Sequence, residues 1–360
     1  MTGAAPSATS DPQVWPIVGR TDELQRIAGA RGEDGSRGVV LMGPAGVGKS
    51  RLAREAISQA GDRGALVEWV HATRSAATVP LGALAGLLPS EVRSDDALKL
   101  MRFSADALRE RAGGRPIAIA VDDAHLLDAT SAALILHLAV TGAAFVVATV
   151  RTGEPCPDAV VSLWKDAGAA RLDLRPLTEH ATGALAEAAL GGPVEETARR
   201  WVYDSSQGNV LYVRELLVGA IESGALARES GLWRLSRRPP PSQSLTELVS
   251  DRMIGLTDDV ARALELLALG EPMRLAEMIE LVGLEPLQEG EARGLVSVSP
   301  PAEGGNVGAQ GVVGFHRFGN QVGSLTFLAR VFVLAKVRIG PAVKSARSDA
   351  GEIVGNQVVA

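Results

Sequence analysis

The chain has 360 residues, of which 46% are hydrophobic and 22% are charged. This balance excludes an intrinsically disordered chain, and the length is sufficient for two or three domains, each with its own core. The net charge of −6 excludes a global attraction to nucleic acid or to an acidic membrane surface. A single cysteine, Cys156, excludes an internal disulfide, fits a reducing cytoplasm and argues against a zinc site.

Two segments in the first half of the chain could be a signal peptide or a membrane span. Residues 1–14 are predicted to be disordered, and they lack the basic and apolar regions of a signal peptide. Residues 132–150 carry no formal charge and are long enough to span a bilayer. Because Thr141-Gly142 interrupts this stretch, we interpret it as a helix, a turn and a buried strand, with no membrane association.

Short apolar runs alternate with helical periodicity from residue 18 to about residue 224. Runs that are apolar at nearly every position are typical of strands buried on both faces of a parallel sheet. The pattern predicts an α/β fold, with a parallel sheet and helices on both faces. The predicted strands are 38–42, 65–70, 116–121, 144–150 and 171–174.

Two helices are predicted from apolar stripes. The first is capped by Ser94, and Leu98, Met101, Ala105 and Leu108 line one of its faces. The second carries a stripe that begins at Val213, and Gly224 is its predicted stop. Residues 229–231 then predict the turn of a small hairpin.

A second region follows three consecutive prolines, Pro239-Pro240-Pro241, which mark a linker at 237–244. Ser244 and Glu247 have the capping-box spacing and predict the start of a helix. Helical segments to about residue 294, followed by strands at 295–298 and 311–315, predict a winged-helix-like domain at 245–316. Residues 317–360 show no clean period, and we interpret them as an irregular tail, truncated or frame-altered.

The strongest chemical motif is Gly43-Pro44-Ala45-Gly46-Val47-Gly48-Lys49-Ser50, which fits the phosphate-loop pattern G-x-x-x-x-G-K-[ST]. An apolar strand precedes it and a helical face follows it, as the motif requires. Its glycines allow backbone N–H groups to point at phosphate oxygens, at the positive end of the helix. Lys49 is predicted to reach the β- and γ-phosphates, and Ser50 to ligate magnesium. Arg51, the next residue, is predicted to lie at the same cofactor site.

A second group of polar residues follows two other predicted strands. Asp122 and Asp123 end the strand 116–121, and we expect Asp122 to hold magnesium and Asp123 to orient the attacking water. Because Asp123 is shorter than glutamate, slow hydrolysis is expected. Arg151 follows the strand 144–150 and is predicted to sense the γ-phosphate. No asparagine is followed by lysine, so the guanine motif is missing and ATP is favoured over GTP.

The five histidines show no spacing typical of a metal site, and His125 is predicted to pack at the start of a helix. Trp201 and Tyr212 are predicted to lie in the core of a helical segment.

Several motifs in order resemble one family. They are Val18-Gly19-Arg20 with Glu23-Leu24, the stretch from Asp122 to Asp128, Thr149-Val150-Arg151, Leu174 to Thr178, Gly208-Asn209 with Glu215-Leu216, and Arg293 to Val296. Together they resemble the signal-transducing P-loop ATPases of large LuxR-type, maltose-activator-like transcription regulators. The resemblance implies that Arg20 lies near the adenine and that a helical lid follows the nucleotide domain. The implied domains are 15–176 for the nucleotide-binding domain and 177–236 for the lid.

Two features depart from the family pattern. Val210 stands where the family has proline, and such regulators usually continue to a C-terminal helix-turn-helix that is not in this sequence. Residues 262–293 carry seven glutamates and three arginines, which disfavours DNA binding by the winged helix and favours a protein contact or self-association.

Three functions stay open at this point. The first is an ATP- and magnesium-dependent regulatory switch of a LuxR-type regulator. The second is a standalone ATPase of the initiator or loader type, and the third is a nucleotide-binding interaction module that does not hydrolyse ATP.

Overall fold

The computed structural model describes residues 15–33, 35–88, 97–240, 242–252, 256–270, 273–292, 295–299 and 312–315. The predictions made for residues 1–14, the Ser94 cap, Pro241 and everything after residue 315 lie outside the described residues. The chain divides into two compact units, Met1–Leu177 and Thr178–Ala360.

The first unit is built on a five-stranded parallel sheet, as predicted. The strand order is β2-β3-β4-β1-β5. Each strand begins and ends within one residue of its predicted run. The strands are β1 Gly38–Gly43, β2 Leu66–His71, β3 Ile117–Asp122, β4 Phe145–Arg151 and β5 Ala170–Asp173.

Helices cover both faces of this sheet, because alternate residues of the inner strands point to opposite sides. On β4, Val146 and Ala148 belong to one apolar cluster, whereas Val147 belongs to the other. The first cluster includes residues of α3, α4 and α5, and the second includes residues of α1 and α2. The helices are α1 Thr21–Gly32, α2 Lys49–Asp62, α3 Ala97–Ala112, α4 Ala129–Val140 and α5 Asp158–Lys165.

The uncharged stretch 132–150 is divided between two elements of this unit. It forms most of α4, the turn at Thr141 and Gly142, and most of β4, which confirms the predicted helix, turn and strand. Within the ranges that the structure describes, no helix combines the length and the hydropathy that a transmembrane segment needs.

The second unit begins with three packed helices and a hairpin. They are α6 Glu179–Leu190, α7 Glu196–Ser206, α8 Val210–Glu222, β6 Leu226–Glu229 and β7 Leu232–Leu235. The Asn209 side chain accepts a hydrogen bond from Leu211 N–H and caps α8. The hairpin turn has positive φ at Ser230 (51°) and Gly231 (87°), as a two-residue type I′ turn requires. The predicted hairpin is therefore confirmed.

The remaining elements of the second unit form helices and a three-stranded antiparallel sheet of order β8-β10-β9. A small core joins α10, α11, α12 and β9 through residues such as Leu267, Met278 and Val296. This is the arrangement predicted as winged-helix-like. The elements are α9 Gln243–Arg252, α10 Asp258–Gly270, β8 Met273–Arg274, α11 Leu275–Val282, α12 Leu284–Ala292, β9 Val296–Ser299 and β10 Val312–Phe315.

The start of α9 differs from the sequence prediction. Ser242 Oγ accepts the Leu245 N–H at 3.2 Å, and the carbonyl of Ser242 accepts the Thr246 N–H at 3.0 Å. Ser244 lies inside the helix, so the capping box predicted there is wrong. The reason is that Ser242 directly follows the prolines and already supplies the hydroxyl that the first turn needs.

Candidate functional site

The loop between β1 and α2 has the geometry of a phosphate loop. Gly46 and Gly48 have φ of 79° and 99°, a region that glycine enters without steric cost. At Gly43 a Cβ atom would lie 2.9 Å from the carbonyl oxygen of Leu174, so only glycine fits this close approach. Gly48 is the N-cap of α2 and has no side chain to accept hydrogen bonds from the first turn. This helix end therefore offers N–H groups and a positive dipole to an anion.

Lys49 is buried and folds back over this loop. Its Nζ donates hydrogen bonds to the carbonyl oxygens of Gly43 at 3.0 Å and Pro44 at 2.9 Å. Burial lowers the pKa of Lys49 to about 8, against the opposing effect of Asp123 and Asp122, while the nearby Arg151 lowers it further. The ammonium group thus sits in a dehydrated position where the negative charge of phosphate would stabilise it.

Ser50 and Asp122 come together at the mouth of the loop. Ser50 Oγ donates a hydrogen bond to Asp122 Oδ1 at 2.7 Å, and Asp122 is only 4% exposed. Magnesium binds oxygen ligands at 2.0–2.1 Å in an octahedron, which places adjacent ligands about 2.9 Å apart. The spacing and the chemistry of this hydroxyl–carboxylate pair therefore fit a magnesium site, as predicted for the same two residues.

Asp123 adopts a backbone conformation that is rare for residues other than glycine. Its φ of 53° and ψ of 45° place it in the left-handed region, and its N–H donates to Thr149 Oγ1 at 2.8 Å. Its Oδ2 accepts a hydrogen bond from Arg151 Nη2 at 3.2 Å. The two residues that were predicted to act on the γ-phosphate and on water are thus in contact at the carboxyl edge of the sheet.

His125 lies beside this pair in the single-turn helix Ala124–Leu126. It is buried, and its Nδ1 is 4.0 Å from Asp123 Oδ1, with no hydrogen-bond partner among the described residues. Burial lowers the pKa of His125, and the opposing effect of Asp123 does not reverse it. A neutral imidazole packed at the start of a helix fits the role predicted from the sequence.

Arg20 and Arg51, the two arginines predicted at the cofactor site, contact protein atoms near the loop. Arg20 is buried and donates to the carbonyl oxygens of Val47 at 3.1 Å and Arg175 at 2.6 Å. Arg51 donates to the carbonyl oxygen of Trp15 at 3.3 Å and pairs with Glu55. Both side chains therefore link segments of the chain that lie next to the loop. A contact of Arg20 or Arg51 with nucleotide stays a prediction.

Thr149 and His71 are neighbours of Asp122 that were not predicted from the sequence as site residues. Thr149 Oγ1 donates to Asp122 Oδ1 at 2.7 Å, and His71 Nδ1 lies 3.5 Å from Asp122 Oδ2. Both residues stand at or near the carboxyl end of a predicted strand. This position could have identified both residues as site residues, because the carboxyl ends of parallel strands lie at one edge of the sheet.

Comparison with known proteins identifies similarity over the first unit. Residues 16–147 match the family model for the AAA ATPase domain. The matched range includes the phosphate loop, Asp122 and Asp123, and it ends before Arg151. A search of curated proteins found no match.

The solved structures to which this chain is similar have low sequence identity to it. Orc1 of Aeropyrum pernix in complex with DNA is 15% identical with a TM-score of 0.49, over 91% of this chain and 97% of that one. Cdc6p of Pyrobaculum aerophilum is 14% identical with a TM-score of 0.45, over 89% and 96%. A signal transduction ATPase with numerous domains, which carries a tetratricopeptide repeat sensor, from Pyrococcus horikoshii is 20% identical with a TM-score of 0.40. That match covers 90% of this chain but 43% of the Pyrococcus protein.

Proposed function

We propose that this chain binds ATP with magnesium and hydrolyses it slowly, and that the nucleotide acts as a regulatory switch. The observation that carries this proposal is the contact between Ser50 and Asp122 at the mouth of a glycine-shaped loop. If the glycines of this loop served packing alone, the Ser50 hydroxyl would not need the buried Asp122 carboxylate as its partner.

The phosphate loop and Lys49 bind the phosphates of ATP. The N–H groups of the first turn of α2 hold the phosphate oxygens, and Lys49 exchanges the carbonyls of Gly43 and Pro44 for the β- and γ-phosphates. Ser50 and Asp122 hold the divalent cation. When bound, magnesium supplies positive charge that offsets the charge developing on the phosphates.

The hydrolytic half rests on Asp123 and Arg151. Asp123 accepts a hydrogen bond from a water molecule and orients it toward the γ-phosphorus. Arg151 is 43% exposed on its side chain and contacts Asp123, so it can turn to the γ-phosphate without crossing the core. The short Asp123 side chain, shared with Arg151, favours slow turnover.

The sequence motifs favour a LuxR-type transcription regulator in the cytoplasm as the setting for this switch. The similarity of residues 16–147 to AAA ATPase domains supports the nucleotide chemistry and does not depend on that setting. ATP would change which surface the chain offers to a protein partner or to a second copy of itself.

Nucleotide retention and turnover, measured together, test this proposal. The purified chain is loaded with ATP and magnesium and gel-filtered, and its bound nucleotide and phosphate release are measured with and without duplex DNA. We expect about one nucleotide per chain and a turnover below about 0.1 s⁻¹, far under that of typical enzymes. DNA-stimulated turnover would instead support the loader, and retention without any phosphate release would support the non-hydrolysing module.

A further inference from the structure

A cavity of the first unit lies at the opposite edge of the sheet from the phosphate loop. Its volume is about 590 Å³, and it is lined by the amino ends of β3 and β4, the end of α3, and residues Arg31, Ser36 and Arg37. Four arginines line it: Arg31, Arg37, Arg109 and Arg115. Among the described lining residues there is no aspartate or glutamate.

The positive charge of this cavity is weakly compensated. In the part of the chain that the structure describes, neither Arg31 nor Arg37 has an ion pair. Arg115 donates to the carbonyl oxygens of Ala112 at 2.9 Å and Arg111 at 3.4 Å. Arg109 pairs with Asp106, which is 70% exposed, and a surface pair of this kind contributes little.

The glycine turn after α4 leaves room for one of the arginine side chains of this cavity. A Cβ atom at Gly142, which has a φ of 66°, would lie 2.8 Å from Arg37 Nη1, so the glycine turn after α4 leaves room for the guanidinium. Arg31 is half-buried, and burial together with the neighbouring Arg63 lowers its pKa. Cations that lie close together and partly out of water are stabilised by a bound anion.

From this cavity we infer a binding site for a small, multiply phosphorylated molecule. Guanidinium groups bind phosphate oxygens in pairs of hydrogen bonds, and four of them match several phosphates on one ligand. A volume of about 590 Å³ lies within the range of small-molecule sites. Two exposed acids, Glu33 after α1 and Glu110 in α3, lie on the same segments, so the positive region does not extend into the long stripe that a nucleic acid needs.

Calorimetric titration of the whole chain with inorganic tripolyphosphate tests this inference. The test variant is Arg37→Gln/Arg115→Gln, and the matched control is Arg171→Gln/Arg200→Gln, which removes two arginines that pair with carboxylates elsewhere. A second test variant, Arg109→Gln/Arg115→Gln, changes only exposed residues, so we expect it to fold like wild type. Because all proteins keep the same phosphate loop, any binding there contributes equally, and the outcome does not depend on the proposed ATP site.

We expect wild type and control to bind tripolyphosphate with equal affinity, and each arginine lost from the cavity to weaken binding by about tenfold. Equal affinity for the test variants and wild type would overturn the inference. So would a failure of wild type to bind millimolar tripolyphosphate, or arginine-dependent binding of a duplex oligonucleotide alone, which would assign the cavity to nucleic acid.

Discussion

Thr149, within β4, connects the carboxylate of Asp122 with the backbone of Asp123. It is fully buried, and its hydroxyl donates to Asp122 and accepts the N–H of Asp123. One oxygen therefore fixes both the direction of the Asp122 carboxylate and the left-handed backbone at Asp123. Because Thr149 positions both residues, a substitution at Thr149 tests the geometry of the site more directly than a substitution at the exposed Arg151.

The hydroxyl of Thr149 can be removed with little change of shape. We predict that Thr149→Val lowers the free energy of unfolding by about 1–3 kcal/mol, because the N–H of Asp123 loses its acceptor. Thr149→Ser keeps the hydroxyl and loses one buried methyl group, so it should cost less than about 1 kcal/mol. Urea denaturation measures both changes, and equal stability of the valine and serine variants would argue against the bridging role.

The backbone and the carboxylate of Asp123 can be separated by two substitutions. Asparagine tolerates the left-handed conformation, so Asp123→Asn should fold normally and bind ATP, yet lose phosphate release by about 10²-fold or more. Asp123→Ala should lose the same activity and also about 1 kcal/mol of stability from backbone strain. Phosphate release from Asp123→Asn at the wild-type rate would remove Asp123 from the proposed chemistry.

At the scale of single elements, Asp128 fixes the start of α4. Burial alone would raise its pKa, but hydrogen bonds from the Ser131 hydroxyl and from the N–H groups of Ser131, Leu81 and Thr130 outweigh burial and lower it. A carboxylate with a lowered pKa in the folded state contributes stability above its ordinary value of 3.8. That contribution is lost as the pH falls through the folded-state pKa.

We therefore predict a pH-dependent cost for Asp128→Ala. At pH 7 the variant should lose about 1–2 kcal/mol of unfolding free energy, and the difference from wild type should shrink below pH 3.8. The control is Asp106→Ala, which removes an exposed acid with one surface ion pair and should cost under about 0.5 kcal/mol. Denaturation at several pH values measures the profile, and a cost that stays constant down to pH 3 would contradict it.

The pairing of β1 with β4 depends on Gly38. A Cβ atom there would lie 2.2 Å from the carbonyl oxygen of Val146, so we predict that Gly38→Ala destabilises the chain by about 3 kcal/mol or more. Gly29 lies in α1 with no atom within 4 Å of its Cβ position, so Gly29→Ala should stabilise by about 0.5–1 kcal/mol. We expect chemical denaturation to give changes in unfolding free energy of opposite sign for the two variants. An unchanged stability of Gly38→Ala would rule out this close approach.

The sequence predicted the strands more accurately than the start of α9 or the turn at Asp123. β3 is buried at every position, and such a run has few alternatives to a central strand. The start of α9 was misplaced because Ser242 and Ser244 both carry a suitable hydroxyl. The left-handed turn at Asp123 had no sequence signal, since an aspartate at a strand end is compatible with several conformations.

At the scale of the whole molecule, the site depends on the order of the strands. Ser50 follows β1, Asp122 ends β3, and Thr149 belongs to β4, which lies between β1 and β3 in the sheet. The sequence predicted each strand separately, but it did not indicate which strands are neighbours in the sheet. For this reason His71, which ends the strand next to β3, was interpreted as a scattered histidine although it lies 3.5 Å from Asp122.

The central claim is that one loop and one buried carboxylate hold a magnesium-bound triphosphate. It is tested most directly by titration calorimetry with ATP on wild type, Lys49→Ala and the control Lys165→Ala, with and without magnesium. We predict one site in wild type and in the control, binding at least about 30-fold weaker in Lys49→Ala, and weaker binding when magnesium is omitted. Equal affinity of wild type and Lys49→Ala would contradict the account.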